Sequence, residues 1–196
     1  MVYLKYSYSY IFIMSQNPQF MIVRIGDPNK NFKNSILDRI QSSSTFAPIW
    51  GYNSEKCAGF PSISRLRHSQ LSGWSAEGNA YVLFLPHKKG SILGLAKISI
   101  QEKRASSNMD NGWLEPTATG HTDWDIEMVI EKYWDFSLLP FHPHLFSYDT
   151  IVSIHQHKLP QSSLLFYNEV DPLYEYLLPH IKYIITYFTA NYIRIL

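Results

Sequence analysis

The chain has 196 residues, a formal net charge of +1 and a hydrophobic share of 45%. That length suits one domain with short terminal segments, and that apolar content excludes a chain disordered throughout. The near-neutral charge excludes a polybasic nucleic-acid or membrane-surface binder, so any phosphate contact has to come from a few local Lys and Arg residues. The lone Cys57 excludes an intramolecular disulfide and a cysteine-rich zinc site, and fits an intracellular protein of nucleus or cytoplasm.

Met1 to Met14 is Tyr-rich and lacks a signal-peptide cleavage pattern, so residues 1–18 are taken as an N-terminal extension. Gln19 to Ile25 is rich in Ile and Val and reads as a strand, broken by Gly26-Asp27-Pro28-Asn29. Phe32, Ile36, Leu37 and Ile40 place a short amphipathic helix over Asn31 to Ile40. A Ser-rich loop from Gln41 to Thr45 leads to a short strand at Ala47 to Trp50. Ile63, Leu66 and Leu71 give one side of a helical turn within Cys57 to Gly73. Tyr81 to Leu85 and Ile92 to Ile98, two apolar runs around a polar turn at His87 to Ser91, form a β-hairpin. Gln101 to Gly112 is a polar loop, and Trp124, Ile126, Met128 and Ile130 alternate as a strand up to Glu131. Ile151 to Ile154 is expected as a short strand. Leu177, Ile181, Ile184, Ile185 and Phe188 recur at helical spacing, giving a packing or partner-binding helix. Pro179, His180, Lys182 and Arg194 argue against a membrane span there. The order of elements predicts an α+β fold, a small mixed sheet or open barrel with helices outside. No Gly-rich phosphate loop is present, and no cofactor is expected.

Several of these segments, in this order, carry a family likeness. Phe20-Met21-Ile22-Val23-Arg24, Asn31-Phe32-Lys33-Asn34-Ser35-Ile36, Ile49-Trp50-Gly51, Tyr81-Val82-Leu83-Phe84 with Gly94-Leu95-Ala96, Trp113-Leu114-Glu115-Pro116 and Leu139-Pro140-Phe141 together resemble the YTH domain, a PUA-like reader of N6-methyladenosine in RNA. The resemblance spans Gln19 to Leu178 and implies a PUA-like open β-barrel or curved sheet flanked by helices over residues 19–178, with 179–196 as an apolar helical tail. It implies a non-catalytic protein whose partner is single-stranded RNA carrying N6-methyladenosine.

The same resemblance implies the site. Trp50 and Trp113 are the first two walls of an aromatic cage, and Trp124 is either a third wall or an inward strand residue. Asn31 faces the adenine N1 edge or caps its helix, and backbone groups near Gly51 and Gly26 face the N6 and N7 edge. Arg24, Lys103, Arg104 and Lys132 are candidates for the RNA backbone, while Trp74 and Trp134 are expected to pack. Two tryptophans holding one base contribute roughly 1–3 kcal/mol per stacked base. The extra methyl adds only about 0.8 kcal/mol. Plain adenine would bring a second N–H into an apolar cage, at a cost of about 1–3 kcal/mol. Together these terms give discrimination on the order of tens to hundreds of fold.

Three other readings stay open. A related PUA-like reader of the EVE type would take a modified base in DNA, which has to be flipped out of its stack. A protein-interaction module would use the C-terminal helix on a protein partner. A metal enzyme would use His142-Pro-His144 or His155-Gln-His157, although no acidic residue completes a recognised motif and no metal is expected.

Overall fold

The structure, a computed structural model, describes residues 17–25, 30–41, 47–52, 61–86, 90–102, 125–140, 143–155, 164–166, 171–190 and 192–193. The strands are β1 (Gln19–Ile25), β2 (Ile49–Tyr52), β3 (Ala80–Pro86), β4 (Gly94–Glu102), β5 (Ile126–Asp135), β6 (Leu164–Phe166) and β7 (Tyr192–Ile193). The helices are α1 (Lys30–Phe32), α2 (Asp38–Gln41), α3 (Pro61–Ala76), α4 (Tyr148–His155) and α5 (Pro172–Tyr187). A π-helical stretch, Lys33–Leu37, joins α1 to α2.

All seven strands lie in one curled sheet, ordered β2-β5-β4-β3-β1-β6, with β7 paired to β5. β1 and β3 run parallel and the other pairs are antiparallel. This is the mixed α+β class, a curved sheet flanked by helices. The expected hairpin is present as β3–β4, with Tyr81 opposite Lys97 and Phe84 opposite Gly94.

The sheet is covered on both sides, which explains why its central strands read as unbroken apolar runs. Side chains alternate between faces along a strand. Phe20, Ile22, Tyr81, Leu83 and Leu85 therefore join a core with α4 and α5. Met21, Val23, Ile25, Val82 and Phe84 join a second core with Phe32, Ile36, Trp50 and Leu71. Each fully buried aliphatic side chain contributes roughly 1.5–3 kcal/mol.

β5 departs from simple alternation. Lys97 pairs with Lys132 but Ile98 pairs with Ile130, so Glu131 is an extra residue in β5. Such a bulge shifts the strand's phase. Ile126, Met128 and Ile130 share the second core with Tyr133, while Trp134 enters the first. There its indole Nε1 donates to the Phe188 carbonyl at 2.8 Å.

α3 stops at a Schellman motif. Gly78, at φ 67°, takes the left-handed position, Gly78 N–H donates to Ser75 O at 2.9 Å, and Asn79 N–H donates to Trp74 O at 2.9 Å. Asn79 then fixes the start of β1: its Nδ2 donates to Asn17 O at 2.7 Å, and Gln19 N–H donates to Asn79 O at 3.1 Å.

Two expectations need correction. Ile151 to Ile154 lies inside α4, not in a strand. Its β-branched residues favour strand, but Ser147 caps the helix: Thr150 N–H donates to Ser147 Oγ at 3.2 Å, and Ile151 N–H to Ser147 O at 3.0 Å. The boundary expected between Leu178 and Pro179 falls within α5, which runs through Pro179. Ile181 and Ile184 are buried beside Leu173 and Leu177 in one core, so this half of the helix is part of the domain. Asp171 caps α5 through its side chain to Leu173 N–H at 2.8 Å, with Pro172 in the first turn. No helix among the described residues is long and apolar enough to cross a membrane.

At Gly94 the bulged strand presses tightly against the hairpin. A Cβ there would collide with the Tyr133 ring and come within 2.6 Å of the Trp134 carbonyl oxygen. Gly94→Ala is expected to cost roughly 1–3 kcal/mol, as overpacking does, seen as a lower urea midpoint with unchanged slope.

Candidate functional site

Trp50 sits on β2, opposite Met128 of β5, in the core on the helical side formed by residues 30–41. Its ring meets Phe32 edge-on at 6.5 Å and Phe84 edge-on at 5.9 Å. Phe32 in turn lies 5.0 Å from Phe84 and 6.5 Å from Tyr133. Trp50 is only 5% exposed, so its faces are covered in the free protein.

Asn31 precedes Phe32 and is the second residue of the helical segment, placed inside the first turn. Its carbonyl accepts from the Ser35 hydroxyl. Gly51 is buried on β2, opposite the fully buried Glu127, which accepts from Gln101 Nε2 at 2.8 Å. β2 begins the strand order. Ile130 N–H donates to Pro48 O at 2.9 Å. By the alternation of an antiparallel ladder, Trp50 uses its backbone toward β5, while the N–H and C=O of Gly51 turn to the outer edge. Trp50, Asn31 and Gly51 thus come from neighbouring elements.

Two of the expected backbone-contact residues are elsewhere. Arg24 is 4% exposed, and its guanidinium lies 5.2 Å from the centre of the Tyr148 ring. On β1 it alternates with Val23 and Ile25 and so points to the face opposite Trp50. Lys132 pairs with Lys97 past the bulge, on that same opposite face beside Trp134. It is also about 13 Å along β5 from Met128 at about 3.3 Å per residue. The structure does not bring Arg24 or Lys132 to Trp50. Trp113, Trp124, Lys103, Arg104 and Gly26 lie outside the described residues. Trp74 packs partly buried against the second core, and Trp134 is buried in the first.

Sequence reading missed a cavity of about 540 Å³ at the end of the sheet where β4 starts and β5 stops. Phe32 and Tyr133 line it from one core, Ile92 and Phe146 from the other, and Phe136 and Asp135 close the end of β5. Backbone bonds hold its walls: Ile92 N–H to Phe146 O at 2.9 Å, Leu93 N–H to Phe84 O at 2.8 Å and Phe136 N–H to Leu93 O at 3.0 Å. The run Tyr133-Trp134-Asp135-Phe136 was the available signal, three aromatic residues around one carboxylate.

Burial, and then the charge of Asp135, push the Tyr133 phenol far above its usual value, so it stays protonated. Burial, and then Glu131, raise Tyr81 to about 12. Glu131 itself pairs with Lys97 at 3.7 Å. Among the described residues no group of three or more His, Cys, Asp or Glu is placed to hold a metal ion.

The chain matches no protein-family profile and no curated protein. Among solved structures it is similar to the YTH domain of the Zygosaccharomyces rouxii MRB1 protein, crystallised in complex with N6-methyladenosine RNA. The identity is 15%, the match covers 85% of this chain and 88% of that one, and the TM-score is 0.34.

His180 of α5 stands edge-on to Phe146, a cavity wall, at 5.8 Å and to Tyr176 at 5.4 Å. Burial lowers its pKa from the ordinary 6.5. The unfolded chain therefore takes up this proton at a higher pH than the folded protein does. The stabilising contribution of neutral His180 is full above pH 6.5 and is lost as pH falls below it. Urea midpoints measured between about pH 8 and about pH 5 should fall with pH, and His180→Gln should flatten that part of the profile.

Proposed function

We propose that this protein is a non-catalytic reader that binds N6-methyladenosine in single-stranded RNA, with Trp50 as one wall of the base site. The observation that carries the reading is the placement of Trp50. Its indole meets Phe32 edge-on at 6.5 Å, Asn31 is the residue just before Phe32 on that helical segment, and the backbone of Gly51 turns to the outer edge of β2. An aromatic wall, an amide and backbone groups on the outer edge of β2 are the parts a methylated purine calls for: a stacking surface, and donors and acceptors for its edge. The ordered motifs of the sequence, from Phe20 to Phe141, support the same reading.

In this reading Trp113 and Trp124 supply the facing walls, and Lys103 and Arg104 take the RNA backbone. Arg24 and Lys132 lie on the opposite face from Trp50 and are not part of it. Trp50 is covered in the free protein, so a base has to displace what lies over the indole. Part of the stacking energy offsets that opening, which lowers the apparent affinity. With a net charge of +1, binding should show moderate salt dependence and recognition of one nucleotide and its neighbours. Such a protein acts inside the cell, by occupying marked RNA.

The test is titration of the full chain with paired RNA oligonucleotides, with and without N6-methyladenosine, alongside the matching DNA pair. Methylated RNA should bind on the order of tens of fold more tightly than plain RNA. Trp50→Ala should abolish the difference. Trp50→Phe, which keeps most of the packing, should reduce it several-fold while the protein stays folded. Equal affinity for both RNA forms in the intact protein rules out a selective reader. A preference confined to methylated DNA moves the assignment to the DNA-base alternative.

A further inference from the structure

The cavity beside Phe136 is not used by the proposed base site, and Trp50 does not line it. We infer that it is a second binding site, for a small organic cation: an ammonium group carried on a flat apolar body. Three features point to that chemistry.

The walls are aromatic. Phe136 and Phe146 have ring centroids 4.8 Å apart and are tilted by 52°, while Phe32 and Tyr133, 6.5 Å apart, stand on another side. Inclined ring faces accept a flat apolar body and attract a cation held over them.

One carboxylate sets the charge. Asp135 lines the cavity together with Ser91 and Ser137, and no Lys or Arg accompanies it among the described lining residues. Asp135 is also held in place: its Oδ1 accepts from Ser137 N–H at 2.9 Å and from the Ser137 hydroxyl at 2.6 Å. That leaves the second carboxylate oxygen outside the cap. A phosphate or carboxylate ligand would meet like charge here. A plain hydrocarbon would cover the carboxylate without pairing it, which is unfavourable. An ammonium group satisfies the carboxylate and the ring faces together.

The site is already built. Backbone hydrogen bonds tie residues 92, 93 and 136 to their neighbours, and Ser91 bridges to Ser147. At about 540 Å³ the cavity is far larger than a lone methylammonium needs, so the ligand carries a ring-sized body.

Calorimetric titration of the full chain with 2-phenylethylamine, protonated at neutral pH, and with 2-phenylethanol, its neutral counterpart, tests the inference. The amine should bind at least about tenfold more tightly than the alcohol. Asp135→Asn, whose amide oxygen can still accept from Ser137, should remove that preference, and Phe136→Ala should weaken both ligands. Equal affinity for amine and alcohol, no binding of either at millimolar concentration, or an unchanged preference in folded Asp135→Asn would each overturn it. The amine-versus-alcohol comparison needs only the intact protein and decides the matter even if a variant fails to fold.

Discussion

One inserted residue, Glu131, governs how this sheet presents its aromatic side chains. Up to Ile130, β5 sends its even-numbered residues to the core that holds Trp50. Without the bulge, Trp134 would follow them and Tyr133 would turn away. With it, Tyr133 joins Phe32 and Phe84. Trp134 crosses to the other core and binds the carbonyl of Phe188. The close packing of Tyr133 over Gly94 follows from the same phase shift, as does the arrival of Asp135 and Phe136 at the cavity.

The second consequence concerns which side chains each face of the sheet carries. Phe32 is the shared wall: it touches Trp50 on one side and lines the cavity on the other. The two residues expected at the RNA backbone that the structure describes, Arg24 and Lys132, belong to the opposite face. There, one stacks on Tyr148 and the other lies beyond the bulge. A chain with a net charge of +1, and with Arg24 and Lys132 turned from Trp50, has little long-range pull on a polyanion. In the proposed reading, selectivity at Trp50 therefore comes from short-range terms: stacking, exclusion of water and the cost of an unpaired N–H.

Most of the framework was legible in the sequence because both-face burial leaves unmistakable apolar runs, as in β1 and β3. The hairpin itself was legible from two such runs and a polar turn, and its register comes from the structure. Ile151 to Ile154 was misread because β-branched residues favour strand, while the deciding signal was a single serine at position 147, visible only once its hydrogen bonds to Thr150 and Ile151 are known. The helical spacing from Leu177 to Phe188 runs across Pro179; an exposed proline costs one backbone hydrogen bond, and Leu177, Ile181 and Ile184 outweigh it by burial. At the site, Trp50 was legible as an isolated aromatic residue on a short strand, but its depth was not. Only the run from Tyr133 to Phe136 hinted at the cavity, because its other walls, Phe32, Ile92 and Phe146, lie far apart in sequence and meet only through the bulge and sheet curvature.

The central claim is that a methylated adenine reaches Trp50. The most direct measurement is a two-dimensional amide and indole NMR spectrum of the ¹⁵N-labelled chain, recorded as N6-methyladenosine nucleoside is added. The account predicts that the Trp50 indole N–H and the backbone N–H groups of Gly51 and Asn31 shift first and saturably, with adenosine producing smaller changes at the same positions. Shifts confined to other parts of the chain, with those three signals unmoved at saturation, would contradict it.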